Sequence, residues 1–208
     1  MNRGNKRCRV VLATVLGVTI ILLTGMKIYA VNSSYPVHKK IVYAQNTPAP
    51  LPVYTKEGNI ELSKSSSLVV VDQDILNLDE VLKLAPQYNT SLVQSGQAYD
   101  MRVVIVSVLV KNTSDRETIP SLGQICLQRN ACSNGIDQFL FFELNKEINL
   151  SQPLEPAEEL TVSLPYCIYD VQFGFHDTWS RIDAQNFELV LAAYPEKVSI
   201  ELGGKASK

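Results

Sequence analysis

The sequence predicts an all-β sandwich held outside a membrane by one N-terminal helix. Three observations lead there. Met101–Val110 (MRVVIVSVLV) is rich in β-branched residues and apolar at both parities, as an interior strand covered on both faces must be. Short apolar runs with turn residues between them follow it, and only one segment carries helix signals. Finally, Val10–Met26 is an unbroken apolar run preceded by Arg3, Lys6, Arg7 and Arg9.

That run fixes an address. At ~1.5 Å per helical residue, residues 10–31 are long enough to span a bilayer core. The basic residues 1–9 hold the N-terminus inside, so the remainder faces outward, and no acidic residue occurs before Glu57. The run exceeds the apolar core of a cleaved signal peptide, and bulky Ile28 spoils Ile28-Tyr29-Ala30 as a cleavage site. An uncleaved signal-anchor is therefore expected, with the lipid bilayer as the partner of residues 10–31. Tyr29 and Tyr35 suit the headgroup belt, and Lys27 can reach the interface. The expected localisation is the cell membrane, single-pass, with the C-terminal domain extracellular.

Residues 32–60 read as an extended stalk, because Pro36, Pro48, Pro50 and Pro52 interrupt any regular ladder. A sandwich domain over 61–204 and a short tail, 205–208, complete the organisation. Leu68–Val71 is the first short strand. A helix follows: Asn77-Leu78-Asp79-Glu80 is a capping-box pattern, Leu78, Val81, Leu82 and Ala85 share a face, and Pro86 ends it. Two turns are too few to stand alone, so the helix must dock on a larger surface. After Met101–Val110, the turn formers Lys111–Asp115 end the central strand. Further strands are expected at Gln124–Gln128, Gln138–Leu144, Leu160–Ile168, Asp170–Phe175, Phe187–Tyr194 and Val198–Leu202.

Charge is segregated. Five of the 19 basic residues precede Ile28, whereas all 21 acidic residues follow it, which leaves the outer part at −7. An acidic ectodomain without a basic stripe argues against a nucleic-acid partner. The outer cysteines, Cys126, Cys132 and Cys167, are odd in number. Cys126 and Cys132 bracket the short loop LQRNA and are the expected disulfide pair, with small buried hydrophobes as the alternative. Asn32, Asn89, Asn112 and Asn149 begin Asn-x-Ser/Thr triplets, which serve equally as turn residues.

Catalytic patterns are missing. His176 is the one histidine inside the domain, no serine stands in a Gly-x-Ser-x-Gly elbow, and no Gly-rich phosphate loop precedes a helix. Asp72-x-Asp74 lacks the rest of a calcium loop, and no Cys/His spacing suggests zinc. No catalytic residue, cofactor or metal is assigned. Aromatic residues crowd the second half of the chain, most of them as core, while Phe141-Phe142 and Phe173-x-Phe175 place aromatic groups at mixed parity and so leave one or two for a contact patch. Trp179, in the polar loop HDTWSRID, is the expected exposed anchor of a partner-contact surface with His176 and Arg181. The competing arrangement folds Trp179 back as a lid between Phe175 and Ile182.

Two stretches together, VVIVSVLVKNTSD and LEPAEELTVSLPY, add a resemblance over about Tyr99 to Leu202. A long strand ends in an Asn-Thr-Ser turn, and a Leu-x-Pro-x-Glu turn then launches another. This resembles the immunoglobulin-like (Ig-like) domains of membrane-anchored or lipid-anchored surface proteins of Gram-positive bacteria. The resemblance implies an Ig-like β-sandwich and carries no functional residue across. Ala157 stands where such domains usually have glycine, and no lipid-accepting cysteine follows the apolar run, which leaves the helix as the anchor. The function expected is a non-enzymatic extracytoplasmic surface module that binds a protein or envelope polymer. The alternatives are a structural or assembly subunit of a membrane or envelope complex, and a hydrolase.

Overall fold

The computed structural model describes residues 3–34, 39–98, 100–173, 179–182 and 187–203, and within the first helix the side chains of 14–15 and 17–31. It divides into two compact units, Met1–His38 and Lys39–Lys208. The first contains one helix, α1 (Arg3–Ser34). Ile20–Leu23, Met26 and Tyr29 are exposed along it. Among the described residues, no helix is long and apolar enough to cross a membrane.

The second unit is a two-sheet sandwich. Its strands are β1 (Lys40–Ala44), β2 (Ala49–Tyr54), β3 (Ile60–Asn77), β4 (Met101–Asn112), β5 (Cys126–Arg129), β6 (Cys132–Asn134), β7 (Glu159–Tyr169), β8 (Phe187–Ala192) and β9 (Lys197–Leu202). One sheet has the order β1-β9-β8-β5-β6 and the other β2-β3-β4-β7. All pairings are antiparallel except β1 with β9, which run parallel.

β4 is the central strand, as its double apolar pattern requires, and pairs along nearly its whole length with β3 and β7. Val104, Val106, Val108 and Val110 point into the main core, where they meet Leu68, Val70, Leu164, Tyr166, Leu189 and Ile200. Met101 and Val103, on the opposite face, lie under a second and smaller core with Val81, Ala85 and Leu140. Two short helices supply that cover. α2 (Leu78–Leu84) begins on the expected capping box: the Asn77 side chain accepts from the Glu80 N–H, and the Glu80 carboxylate accepts from the Asn77 N–H. A single turn, α3 (Ser91–Gln94), follows it, and α4 (Gln138–Leu144) completes the layer.

Three expectations change here. The proline-rich segment is not a stalk: β1 and β2 lie inside 32–60, and Ala49, Leu51 and Val53 are buried in the sandwich. Proline fits because β2 is an edge strand, where a missing N–H costs no interior ladder bond. Gln138–Leu144 is a helix rather than a strand. Asp137 caps it by accepting from the Leu140 N–H, and Leu140 and Phe141 turn inward while Phe139 and Phe142 stay exposed. Asp170–Gln172 is one 3₁₀ turn instead of the start of a strand.

The outer edge of β7 is closed by side chains. Asn145 imitates a neighbouring strand, donating to the Ser163 carbonyl at 2.8 Å and accepting from the Ser163 N–H at 2.9 Å. Farther along, the Asp137 N–H donates to the Pro165 carbonyl, and the Asn134 amide donates to that of Cys167. A long edge treated in this way is a poor template for another chain.

Candidate functional site: a groove at the open end of the sandwich

A concavity of about 550 Å³ lies where the start of β3 faces the β8–β9 turn. Its walls follow from the topology. β2 and β3 bring Pro52, Ile60 and Leu62 from one sheet, while β8, β9 and their connection bring Val190, Ala192, Tyr194, Pro195 and Val198 from the other. β5 reaches only as far as Cys126, opposite Val190, so Leu191–Ala193 continue past its end into the wall. The lining is mainly apolar, and its charged residues are Glu61 and Glu196. Tyr194 is 78% exposed and Ile60 42%, so both offer apolar surface to solvent beside the cavity. A mainly apolar concavity of this size with a few polar groups can enclose a ligand or a short segment of chain.

A second, more polar hollow of about 350 Å³ lies beside Arg129, Phe187, Glu188 and Lys197. The Arg129 guanidinium sits over the rings of Phe173 and Phe187, 6.0 and 5.8 Å from their centroids. Its Nε and Nη1 are buried without a hydrogen-bond partner among the described residues, and burial lowers its pKa. The aromatic faces therefore provide its main stabilisation.

A half-buried titratable cluster between the helices and β7 comprises Tyr88, Asp137, Cys167 and Tyr169. Tyr88 donates to the Asp137 carboxylate at 2.5 Å, and burial together with this bond raises the phenol pKa. Burial also pushes the Cys167 thiol up, against the opposing pull of hydrogen bonds with Tyr169 and Tyr88. A thiol held protonated is a poor nucleophile. The cluster is best understood as a clamp that fastens the N-cap of α4 to the segment after α2.

The residues singled out from the sequence are dispersed by the fold. Trp179 is not an exposed anchor: it is 6% exposed and belongs to the main core. Its indole N–H donates to Asp100 at 2.9 Å, Arg102 stacks on its face at 4.9 Å, and Phe173 packs alongside at 5.6 Å. The polar neighbours in sequence are misleading because the partners of the ring come from β4 and the turn before it. Arg181 is exposed on the same short segment, and His176 lies outside the described residues. Cys126 and Cys132 are not bonded to each other. In the β5–β6 hairpin Cys132 stands opposite Arg129, three residues from Cys126. At ~3.4 Å per residue that offset is beyond the reach of a disulfide. The Cys132 thiol instead donates to the Gln172 carbonyl.

Nothing in the local sequence marks the groove. Its walls are separated by more than a hundred residues, and β1 and β2, which place them, lie in the segment expected to be a stalk. The alternation of buried Leu51 and Val53 within APLPVY was the available signal. Among the described residues, no group of three His, Cys, Asp or Glu side chains is placed to hold a metal ion.

Comparison with known proteins gives one family. The family model described as "Domain of unknown function (DUF5028)" matches residues 41–198. No curated protein matches the chain. Among solved structures, a candidate lipoprotein (ycdA) from Bacillus subtilis is similar at 13% identity and a TM-score of 0.46. The match covers 78% of this chain and 40% of that one, so this chain spans less than half of that structure. A functionally unknown protein from Listeria monocytogenes is similar at 13% identity and a TM-score of 0.42, with 69% of this chain and 74% of that one covered. A β-sandwich protein from Clostridium difficile matches at 10% identity and a TM-score of 0.41, with 81% and 98% covered.

Proposed function

The chain belongs to the DUF5028 family, a domain of unknown function, and we propose that it acts as a non-enzymatic binding module on the outer side of a membrane. The observation that carries this reading is the groove between the two sheets, open to solvent and lined mainly by apolar side chains. Burial pushes the half-buried Cys167 thiol up, away from the thiolate that a nucleophile needs, which favours binding over chemistry.

The tether is argued from sequence. Val10–Met26 is unbroken by charge, follows four basic residues, and falls within α1. In this proposal α1 is a signal-anchor, and the sandwich is the extracellular part of a membrane-anchored surface protein of the Gram-positive type. The Ig-like assignment belongs to the same proposal. It is supported by the crossing of the chain between sheets, from β4 to β5 and β6, back to β7, and again to β8 and β9, with β1 parallel to β9.

One observation favours the second reading, an assembly subunit. Phe139 and Phe142 are 45% and 52% exposed on the outer face of α4, with Phe139 packed 6.0 Å from Tyr88. Such side chains on a helix suit a permanent neighbour.

The experiment places a photo-crosslinking residue at Tyr194 or Phe142 in the full-length chain in intact cells, with Asp115, on an exposed turn, as the control position. A protease added outside tests the address through an epitope after Lys208. The binding-module reading expects adducts from Tyr194 and loss of the epitope. Adducts from Phe142 alone would select the assembly subunit. Full protection of the epitope, in cells shown to be intact, would overturn the extracellular address.

A further inference from the structure

We infer that the groove takes an extended, basic segment of a partner polypeptide, with its apolar side chains filling the space between Leu62 and Val198. This rests on the binding reading above and specifies its occupant. The first argument is charge. Glu61 and Glu196 are the charged residues of the lining, and neither belongs to an ion pair among the described residues. Glu188, on the neighbouring part of the same sheet, is instead engaged by Lys40 and Lys197. Glu61 is exposed and Glu196 half-buried at the lining, so a lysine or arginine of the occupant can pair with them, which a neutral or acidic one cannot. The acidic balance of the outer part steers the same kind of partner toward the site.

The second argument concerns shape. Leu191 and Ala192 run on past the last ladder pair of β5, Cys126 with Val190, and this part of β8 meets the groove beside Gln124. An extended chain is the occupant whose backbone N–H and C=O groups match a strand flank. Its alternating side chains would place apolar groups inward and basic groups toward the rim.

The test uses the full-length chain in detergent micelles and a series of fluorescein-labelled hexapeptides of Leu, Val and Pro, with two positions fixed as Lys, Gln or Glu. Fluorescence anisotropy reads binding. The Lys series is expected to bind at least ~10-fold more tightly than the Glu series, with the preference shrinking as salt is raised. The Glu61→Gln, Glu196→Gln double variant should bring the Lys and Glu series within ~2-fold of each other while leaving the melting temperature in place, because neither side chain forms an ion pair among the described residues. Equal binding of all series, preference for Glu, or binding by none of them would overturn the inference. If Tyr194 still crosslinks to a neighbour in cells under any of those results, the binding module stands and only its proposed occupant falls.

Discussion

Asn112 and Leu154 are fastened side chain to backbone. The fully buried Asn112 amide donates to the Leu154 carbonyl at 2.9 Å, and also to those of Arg116 and Glu155 at 2.8 and 3.2 Å. Its oxygen accepts from the N–H and hydroxyl of Ser114. One side chain thus ties the end of β4 to the turn that launches β7, the two stretches that carry the family resemblance. We predict that Asn112→Ala lowers stability by about 2 kcal/mol, since the buried Leu154 carbonyl keeps only the Thr118 N–H as donor and the Arg116 and Glu155 carbonyls lose the amide. The urea midpoint should fall with little change in slope. A loss below ~1 kcal/mol would show that water replaces the amide. Its burial also makes Asn112 a poor glycosylation acceptor despite its Asn-x-Ser/Thr context.

Three residues further along that turn, Ala157 has a φ of 64°, in the left-handed region, and the Glu158 N–H donates to the Glu155 carbonyl. Pro156 followed by a positive φ is the geometry of a type II turn, whose third position favours glycine. We predict that Ala157→Gly stabilises the domain. The relieved side-chain strain, about 1–2 kcal/mol, exceeds the added freedom of the unfolded chain, for a net gain of roughly 0.5–1 kcal/mol. A lower urea midpoint in the glycine variant would contradict the turn geometry.

What was readable in the sequence tracks how local its cause is. β4 announces itself by ten residues of β-branched character, and α2 by a cap whose two hydrogen bonds close within four residues. α4 resembles a strand in sequence because QFLFFEL is aromatic enough to pass for one. Its helical state is decided by Asp137 at the N-cap and by the β7 edge waiting for Asn145. β2 is hidden by Pro50 and Pro52 and β1 by its place between Pro36 and Pro48, and the pairing of β1 with β9 joins residues more than 150 positions apart. The groove inherits that non-locality, since Ile60 and Tyr194 acquire their relation only when both sheets are assembled.

The edge pairing of β1 carries a pH dependence. Glu188 on β8 lies 2.7 Å from the Lys197 ammonium and 2.5 Å from that of Lys40. Burial alone would raise the Glu188 pKa, yet the hydrogen bonds and charges of these lysines outweigh it and hold the carboxyl below its usual 4.5. A depressed folded-state pKa stabilises the fold above the unfolded value, and that contribution disappears as pH falls through the folded value. We predict that Glu188→Gln lowers the melting temperature modestly at pH 7 and that the gap to the wild type closes as pH falls below the ordinary carboxyl value of 4.5. Because the lysines are partly solvated, ~0.5 M salt should narrow the gap at pH 7. A gap that widens on acidification would refute the assignment.

Trp179 offers the sharpest optical test, being the one tryptophan in the chain. Its indole is held at both ends of its chemistry: the N–H by Asp100, and the face by Arg102, which itself approaches Asp100 at 4.0 Å. Asp100 also accepts from the Met101 N–H at 2.8 Å, so the ring is locked to the first residue of β4. We predict blue-shifted emission that resists iodide. Trp179→Phe keeps the packing and removes the N–H, and should cost about 1–2 kcal/mol. Trp179→Ala opens a cavity beside Phe173 and the fully buried Ile182, and should cost about 3–5 kcal/mol. Red-shifted emission readily quenched by iodide would return Trp179 to the surface. It would also restore the 176–181 segment as a contact site in competition with the groove.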